Sequence, residues 1–152
     1  GSEPKVPASL TALVRRLQPM LESEAQLAGV SLQLELEAVP SFSLNANEIQ
    51  QLLLNLYRNA LEATPAGGQV TIATGTTPAN QPYLRVVDSG CGMSAELLQA
   101  VYAPFVTTKP QGTGLGLPHC LNIARSYGAE LAIDSTPDQG TLVQVTFPAC
   151  EA

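Results

Sequence analysis

The chain has 152 residues, with seven Lys and Arg against thirteen Asp and Glu and a formal net charge of −6. A hydrophobic fraction of 45% with 13% charged residues predicts one globular domain with a sizeable core and excludes a disordered chain. The acidic balance excludes nucleic acid and anionic membrane as electrostatic partners, and no apolar run approaches the roughly 18 residues of a membrane span.

Gly1-Ser2 reads as an expression scar with no signal peptide after it. Residues 1–9 are therefore expected to be scar and linker, ahead of a domain over 10–152 excised from something longer. Within residues 8–28, Leu10, Leu13, Val14, Leu17, Leu21 and Ala25 fall at helical spacing. Pro19 is expected to kink or divide that helix, and Gly29 to cap it. Residues 31–37 alternate, with Leu32, Leu34 and Leu36 on one face of a half-buried strand. Asn45 is the expected cap of a second helix, with Glu48 three residues on as in a capping box. This helix passes through Ile49, Leu52, Leu53, Leu56, Ala60 and Leu61, and Thr64-Pro65-Ala66-Gly67-Gly68 stops it.

Two strands are expected around 69–75 and 82–87, then a short helix over 94–101 capped by Ser94 and a loop over 103–113. A third long helix covers 114–127 and ends at Gly128, with Pro118 tolerable near its first turn. Strands around 129–135 and 141–147 complete the order. Paired strands broken by helices predict a mixed sheet with helices on one face, a two-layer α/β sandwich instead of a doubly wound fold. Cys91, Cys120 and Cys150 are widely spaced and read as reduced thiols, not a disulfide frame or a zinc site.

Eight of the twelve glycines fall within residues 67–116, which suggests that the middle of the chain holds a ligand. Asn55 and Asn59 lie four apart on one face of a Leu-rich helix, in a stripe with Glu48 and Glu62. They read either as a solvated or loop-satisfied pair, or as oxygen ligands for Mg²⁺ and donors to phosphates. Asp88, followed by Gly90 and Gly92, is either a turn former or a carboxylate for an exocyclic amine, with glycine admitting a flat base. Gly112-Thr113-Gly114-Leu115-Gly116-Leu117 opens a helix, where backbone amides make an anion site. The spacing and the preceding loop fit neither a Rossmann fingerprint nor a P-loop. His119 reads as a packing or surface residue, and Cys91 as a small residue between glycines.

The order of these motifs resembles the N, G1, F and G2 boxes of bacterial sensor histidine kinases. It runs Asn45-x5-Gln51-x3-Asn55-Leu56-x2-Asn59-Ala60, Asp88-x-Gly90-x-Gly92, Pro104-Phe105-Val106-Thr107-Thr108-Lys109, then the glycine run, with Gly140-Thr141 as a late element. The Phe105–Lys109 and Asn55–Asn59 runs look most like the nitrogen-regulation and nitrogen-fixation type. The resemblance implies a catalytic and ATP-binding domain of the Bergerat type, α+β, with a mixed, mostly antiparallel sheet covered by three helices. Asn59, assisted by Asn55, would hold Mg²⁺. Asp88 would receive the adenine amino group, with Gly90 and Gly92 beside it and Thr141 supporting Asp88. Thr108, Lys109, Gly112, Thr113, Gly114, Leu115, Gly116 and Leu117 would surround the triphosphate of ATP, or ADP after transfer, and residues 103–113 would form the lid. Arg58 and Lys109 are cations suited to phosphate oxygens or to a partner domain.

The chemistry implied is phosphoryl transfer to a histidine on a dimerisation domain absent from this chain, so little autophosphorylation is expected from the chain alone. A response regulator would be an indirect partner, and the location cytoplasmic. The rivals are an ATP hydrolase of the gyrase kind, an anti-sigma-type serine kinase and a degenerate nucleotide-binding module. Hydrolases of that kind need a general-base glutamate where Asn55 stands, and Asn takes no proton from water. This chain departs from the family's pattern in Asn45 for Asp, in Ala63 where some relatives carry an aromatic residue, and in a short lid.

Overall fold

The computed structural model describes residues 4–90 and 116–149. Ser9 caps helix α1 (Leu10–Ala28), its hydroxyl accepting from the Ala12 amide at 3.4 Å. Pro19 does not divide this helix. It lies on the solvent side, while Leu17, Leu21 and Ala25 are buried on either side of it. A missing amide on an exposed face leaves only a water-accessible carbonyl, and the buried stripe carries the helix through. Gly29 ends α1 at φ 70°, and Val30 N–H then donates to Ala25 O at 3.0 Å.

Seven strands are described. Strands β2 (Ser31–Leu36), β4 (Gln69–Thr76), β5 (Pro82–Asp88), β7 (Gly140–Thr146) and β6 (Glu130–Thr136) form one sheet in the order β2-β4-β5-β7-β6. The β2–β4 pair is parallel and the other three are antiparallel, so the expected mixed sheet is present. Helices α1, α2 (Ala46–Ala63) and α3 (Gly116–Ser126) cover one face of it. Val70, Ile72, Leu84, Val86 and Val145 on that face meet Leu21, Ile49, Leu52, Leu53 and Leu56 from the helices, all nearly inaccessible. Tyr57 is also buried, and its hydroxyl donates to Leu21 O at 2.6 Å, which satisfies a polar group in the core.

The opposite face carries a polar ladder. Gln69 Nε2 donates to Gln33 Oε1 at 2.9 Å, and Arg85 Nε donates to Gln144 Oε1 at 2.9 Å. Period-two alternation sends these groups away from the helices.

Val6–Ala8, in the stretch read as linker, form strand β1. It pairs antiparallel with β3 (Phe42–Leu44), register Val6↔Leu44 and Ala8↔Phe42. Three-residue strands are too short for alternation to show in sequence, and this ribbon is held by aromatic packing. Phe42 and Phe147 have ring centroids 4.8 Å apart, Tyr127 meets Phe147 edge-on at 5.8 Å, and the Lys5 ammonium sits 4.0 Å above the Tyr127 ring. The expected helix over 94–101 and loop over 103–113 lie outside the described residues.

Candidate functional site

Helix α2 is positioned at its first turn. Asn45 Oδ1 accepts from Asn47 N at 2.9 Å and Glu48 N at 3.1 Å, as expected of an N-cap. The reciprocal half of the capping box is routed differently. Asn45 N–H donates to Tyr127 Oη at 2.8 Å, and that hydroxyl donates on to Glu48 Oε1 at 2.9 Å. A side chain from just beyond the C-terminal end of α3 thus completes the cap. Burial, more than its hydrogen bonds, pushes the Tyr127 phenol up to about 12.

Two and three turns further on, α2 presents Asn55 and Asn59, both half-buried. α3 packs along this stripe. The buried Cys120 thiol donates to Leu52 O at 3.9 Å, and the Asn55 side chain lies near enough to act on it. Desolvation pushes that thiol up to about 12, so it is an inert packing group and not a nucleophile. His119, exposed as expected, lies 3.2 Å from Gln51 Oε1, one turn before Asn55. Arg58 leaves the stripe: its guanidinium forks onto Glu24 of α1, Nε–Oε1 2.9 Å and Nη2–Oε2 3.0 Å.

Asp88 ends β5 and is 8% exposed. Its Oδ1 accepts from Gly90 N at 2.8 Å, a local turn that holds the carboxylate. Gly90 lies against the end of α2, where an added Cβ would stand 2.2 Å from Ala63 O. That contact brings the exit of β5 up to the asparagine helix, and only glycine permits it. On the other side Thr141 is the register partner of Asp88 on β7. Gly140, at φ +108°, brings β7 so close that a Cβ would meet Asp88 O at 2.1 Å.

Asn55, Asn59, Asp88, Gly90 and Thr141 are thus all on elements that meet at one end of the α2–sheet layer, and Gly116 and Leu117 open α3 beside them. Gly92, Thr108, Lys109, Gly112, Thr113, Gly114 and Leu115 lie outside the described residues, as does Cys91. Two residues that hold these elements went unread in the sequence, Ser135 at this corner and Tyr127 at the opposite end of α2. Ser135 Oγ lies 2.7 Å from Thr141 Oγ1, and Tyr127 holds the α2 cap. Ser135 had a signal: it takes the inward parity of Leu131 and Ile133 on β6, where an apolar residue is expected. Tyr127 had none.

No cluster of three His, Cys, Asp or Glu able to hold a metal occurs among the described residues. A cation here would rest on carboxamide oxygens together with ligand oxygens, a hard donor set that suits Mg²⁺.

Residues 44–151 match the family described as histidine kinase-, DNA gyrase B-, and HSP90-like ATPase. Sporulation kinase C of Bacillus subtilis (strain 168) is 35% identical over 141 residues, covering 91% of this chain and 33% of that protein. Sensor histidine kinase ZraS of Klebsiella oxytoca is 39% identical over 102 residues, covering 67% of this chain and 22% of its own length. The chain therefore spans a third or less of these relatives. The nucleotide-free catalytic domain of histidine kinase ThkA superposes with a TM-score of 0.83 at 27% identity, covering 95% of both chains.

Proposed function

The chain belongs to the histidine kinase-, DNA gyrase B- and HSP90-like ATPase family, as a catalytic domain of the sensor-histidine-kinase kind. From that premise we propose that it binds Mg-ATP and delivers the γ-phosphoryl group to a histidine on a dimerisation domain of the same kinase. The observation that carries this reading is Asp88. A nearly buried carboxylate is pinned by Gly90 N–H at one side of a corner, with Thr141 opposite it and the asparagine helix next to it.

In this reading Asp88 accepts from the exocyclic amine of adenine, with Gly90 and Gly92 leaving room for the flat base. Asn59 and Asn55 would hold Mg²⁺ through their carboxamide oxygens, with the Cys120 thiol packed near Asn55. When bound, the metal neutralises charge on the β- and γ-phosphates. The amides of residues 112–117, the glycine run that leads in sequence into α3, would hold the phosphate oxygens together with Thr108 and Lys109. Arg58 serves the transferring phosphoryl group or the partner domain by exchanging the Glu24 carboxylate for it. Phosphoryl transfer is mainly positioning and charge neutralisation, which such a set supplies without a general base. Asn55 in the place of a base turns the site away from hydrolysis of ATP by water.

A parent kinase of the nitrogen-regulation type, acting on the cytoplasmic side and passing its phosphoryl group to a response regulator, completes the proposal. The Phe105–Lys109 and Asn55–Asn59 runs support it. No described helix is long and apolar enough to cross a membrane.

Calorimetric titration of this chain with Mg-ATP tests the binding step. Wild type is expected to bind, and Asp88→Asn and Asn59→Asp to weaken binding by about tenfold or more, the worth of one charge-assisted contact. Absence of heat in wild type would sink the reading. Phosphotransfer from the chain to a separately supplied dimerisation domain tests the kinase step.

A further inference from the structure

We propose that Ser135 sets the hydrogen-bond polarity of the Asp88 corner, through Thr141, and thereby selects a base edge bearing an amine over one bearing a carbonyl. The inference rests on the nucleotide-binding reading above and goes beyond it in naming what tunes base choice.

Strands β5, β7 and β6 are neighbours, and their registers align three polar residues across them. Asp88 faces Thr141, and Thr141 faces Ser135. One step of the same parity further along, the corresponding positions are Val86, Val143 and Ile133. The row is a polar end to an otherwise apolar inward face, so its hydrogen bonds are confined to a few partners.

Counting protons singles out the one arrangement in which both contacts of Ser135 are hydrogen bonds. Ser135 Oγ lies 3.1 Å from Gly140 O, and a carbonyl only accepts, so the single Ser135 hydroxyl proton is spent there. The 2.7 Å contact between Ser135 and Thr141 is a hydrogen bond at the same time only if Thr141 donates its proton to Ser135. Thr141 is left facing the rest of the corner as an acceptor only. An aspartate carboxylate is also an acceptor only.

Two acceptors on adjacent strands, with side chains on the same face, favour a group that brings two protons. A purine 6-amino group does so, and so does a water that bridges to it. A 6-oxo group brings lone pairs toward lone pairs, which is repulsive. Without Ser135 the Thr141 hydroxyl is released to rotate and donate, and a carbonyl edge becomes acceptable. Ser135 is thus a positioning residue: it acts through Thr141 and touches no ligand in this scheme.

The test is titration of the chain with ADP and with GDP in the presence of Mg²⁺, for wild type, Ser135→Ala and Ser135→Thr, with thermal melts alongside. Wild type is expected to prefer ADP. Ser135→Ala is expected to narrow the ADP-to-GDP preference by about tenfold, the worth of one hydrogen bond, and Ser135→Thr to restore it. Thr141→Val, which removes the same acceptor, is expected to narrow the preference too. A Ser135→Ala variant that weakens both nucleotides in proportion has a merely structural residue, and that result overturns the proposal. A Thr141→Val variant with full preference overturns it as well. If wild type binds neither nucleotide, the nucleotide reading falls and this inference with it; if wild type binds ADP and the ratio does not move, only this inference falls.

Discussion

Tyr127 and Asn45, 82 residues apart, share the hydrogen bond that seats α2: Asn45 N–H donates to the Tyr127 hydroxyl at 2.8 Å. The same hydroxyl donates to Glu48 at 2.9 Å, so one atom bridges the two ends of a capping box. Tyr127→Phe leaves a buried amide without this partner while keeping the ring between Lys5 and Phe147. The variant is expected to lose about 1–2 kcal/mol of stability, read from urea unfolding. An unchanged midpoint would show that Glu48 or water takes over the cap.

Alkaline pH acts on two phenols together. Tyr57 and Tyr127 are both pushed from 10.0 to about 12, in each case chiefly by burial. A raised folded pKa means that the folded state keeps its proton where the unfolded state releases it. Their contribution is full below pH 10 and is lost as pH rises through 10 to 12. Urea midpoints at pH 9 and pH 11 are expected to fall between the two, and Tyr57→Phe to flatten the fall.

Gly140 is irreplaceable for two reasons that add. Its φ of +108° strains any L side chain, and an added Cβ would meet Asp88 O at 2.1 Å. Gly140→Ala is expected to cost about 3 kcal/mol or more, seen as a lowered melting temperature. Because the displaced backbone is that of Asp88, nucleotide affinity should fall with it. A melt within a degree of wild type would mean that the β6–β7 turn shifts freely.

Arg58 separates a stability role from a catalytic one. Its ion pair with Glu24 is largely exposed, 51% on the arginine side, so Arg58→Ala is expected to cost less than about 1 kcal/mol. In the proposed role the same variant slows phosphotransfer to a supplied dimerisation domain and leaves ATP affinity within about twofold. Equal rates for wild type and variant would confine Arg58 to the α1–α2 ion pair.

Cys120 gives a chemical readout of the α2–α3 contact. A buried thiol held up at about 12 has almost no thiolate near neutrality. In a Cys91→Ser, Cys150→Ser background, iodoacetamide is expected to label Cys120 only after denaturant is added. Rapid labelling of the native chain would mean that α3 opens from α2.

Much of this protein is legible in local chemistry alone. Leu32, Leu34 and Leu36 report a strand because a pleated backbone sends alternate side chains one way, and all three are half-buried on the helix side. Asn45 reports a helix start because its side chain serves amides two and three residues on. Gly29 reports a helix end for the same kind of local reason. Pro19 does not divide α1 because its cost depends on which side of the helix faces water, which a single residue does not declare.

The sequence by itself determined the family, the order of the long helices and of the five strands of the main sheet, and the polar residues its motifs single out. These follow from periodicity and from residue types a few positions apart. Only the tertiary structure decided which of those residues share partners: Arg58 with Glu24, Asn55 with Cys120, Asn45 and Glu48 with Tyr127, and Thr141 with Ser135. Such pairs depend on the register between strands and on the docking of whole helices. Both are set by the fit of the entire core, and no window of the chain holds that information.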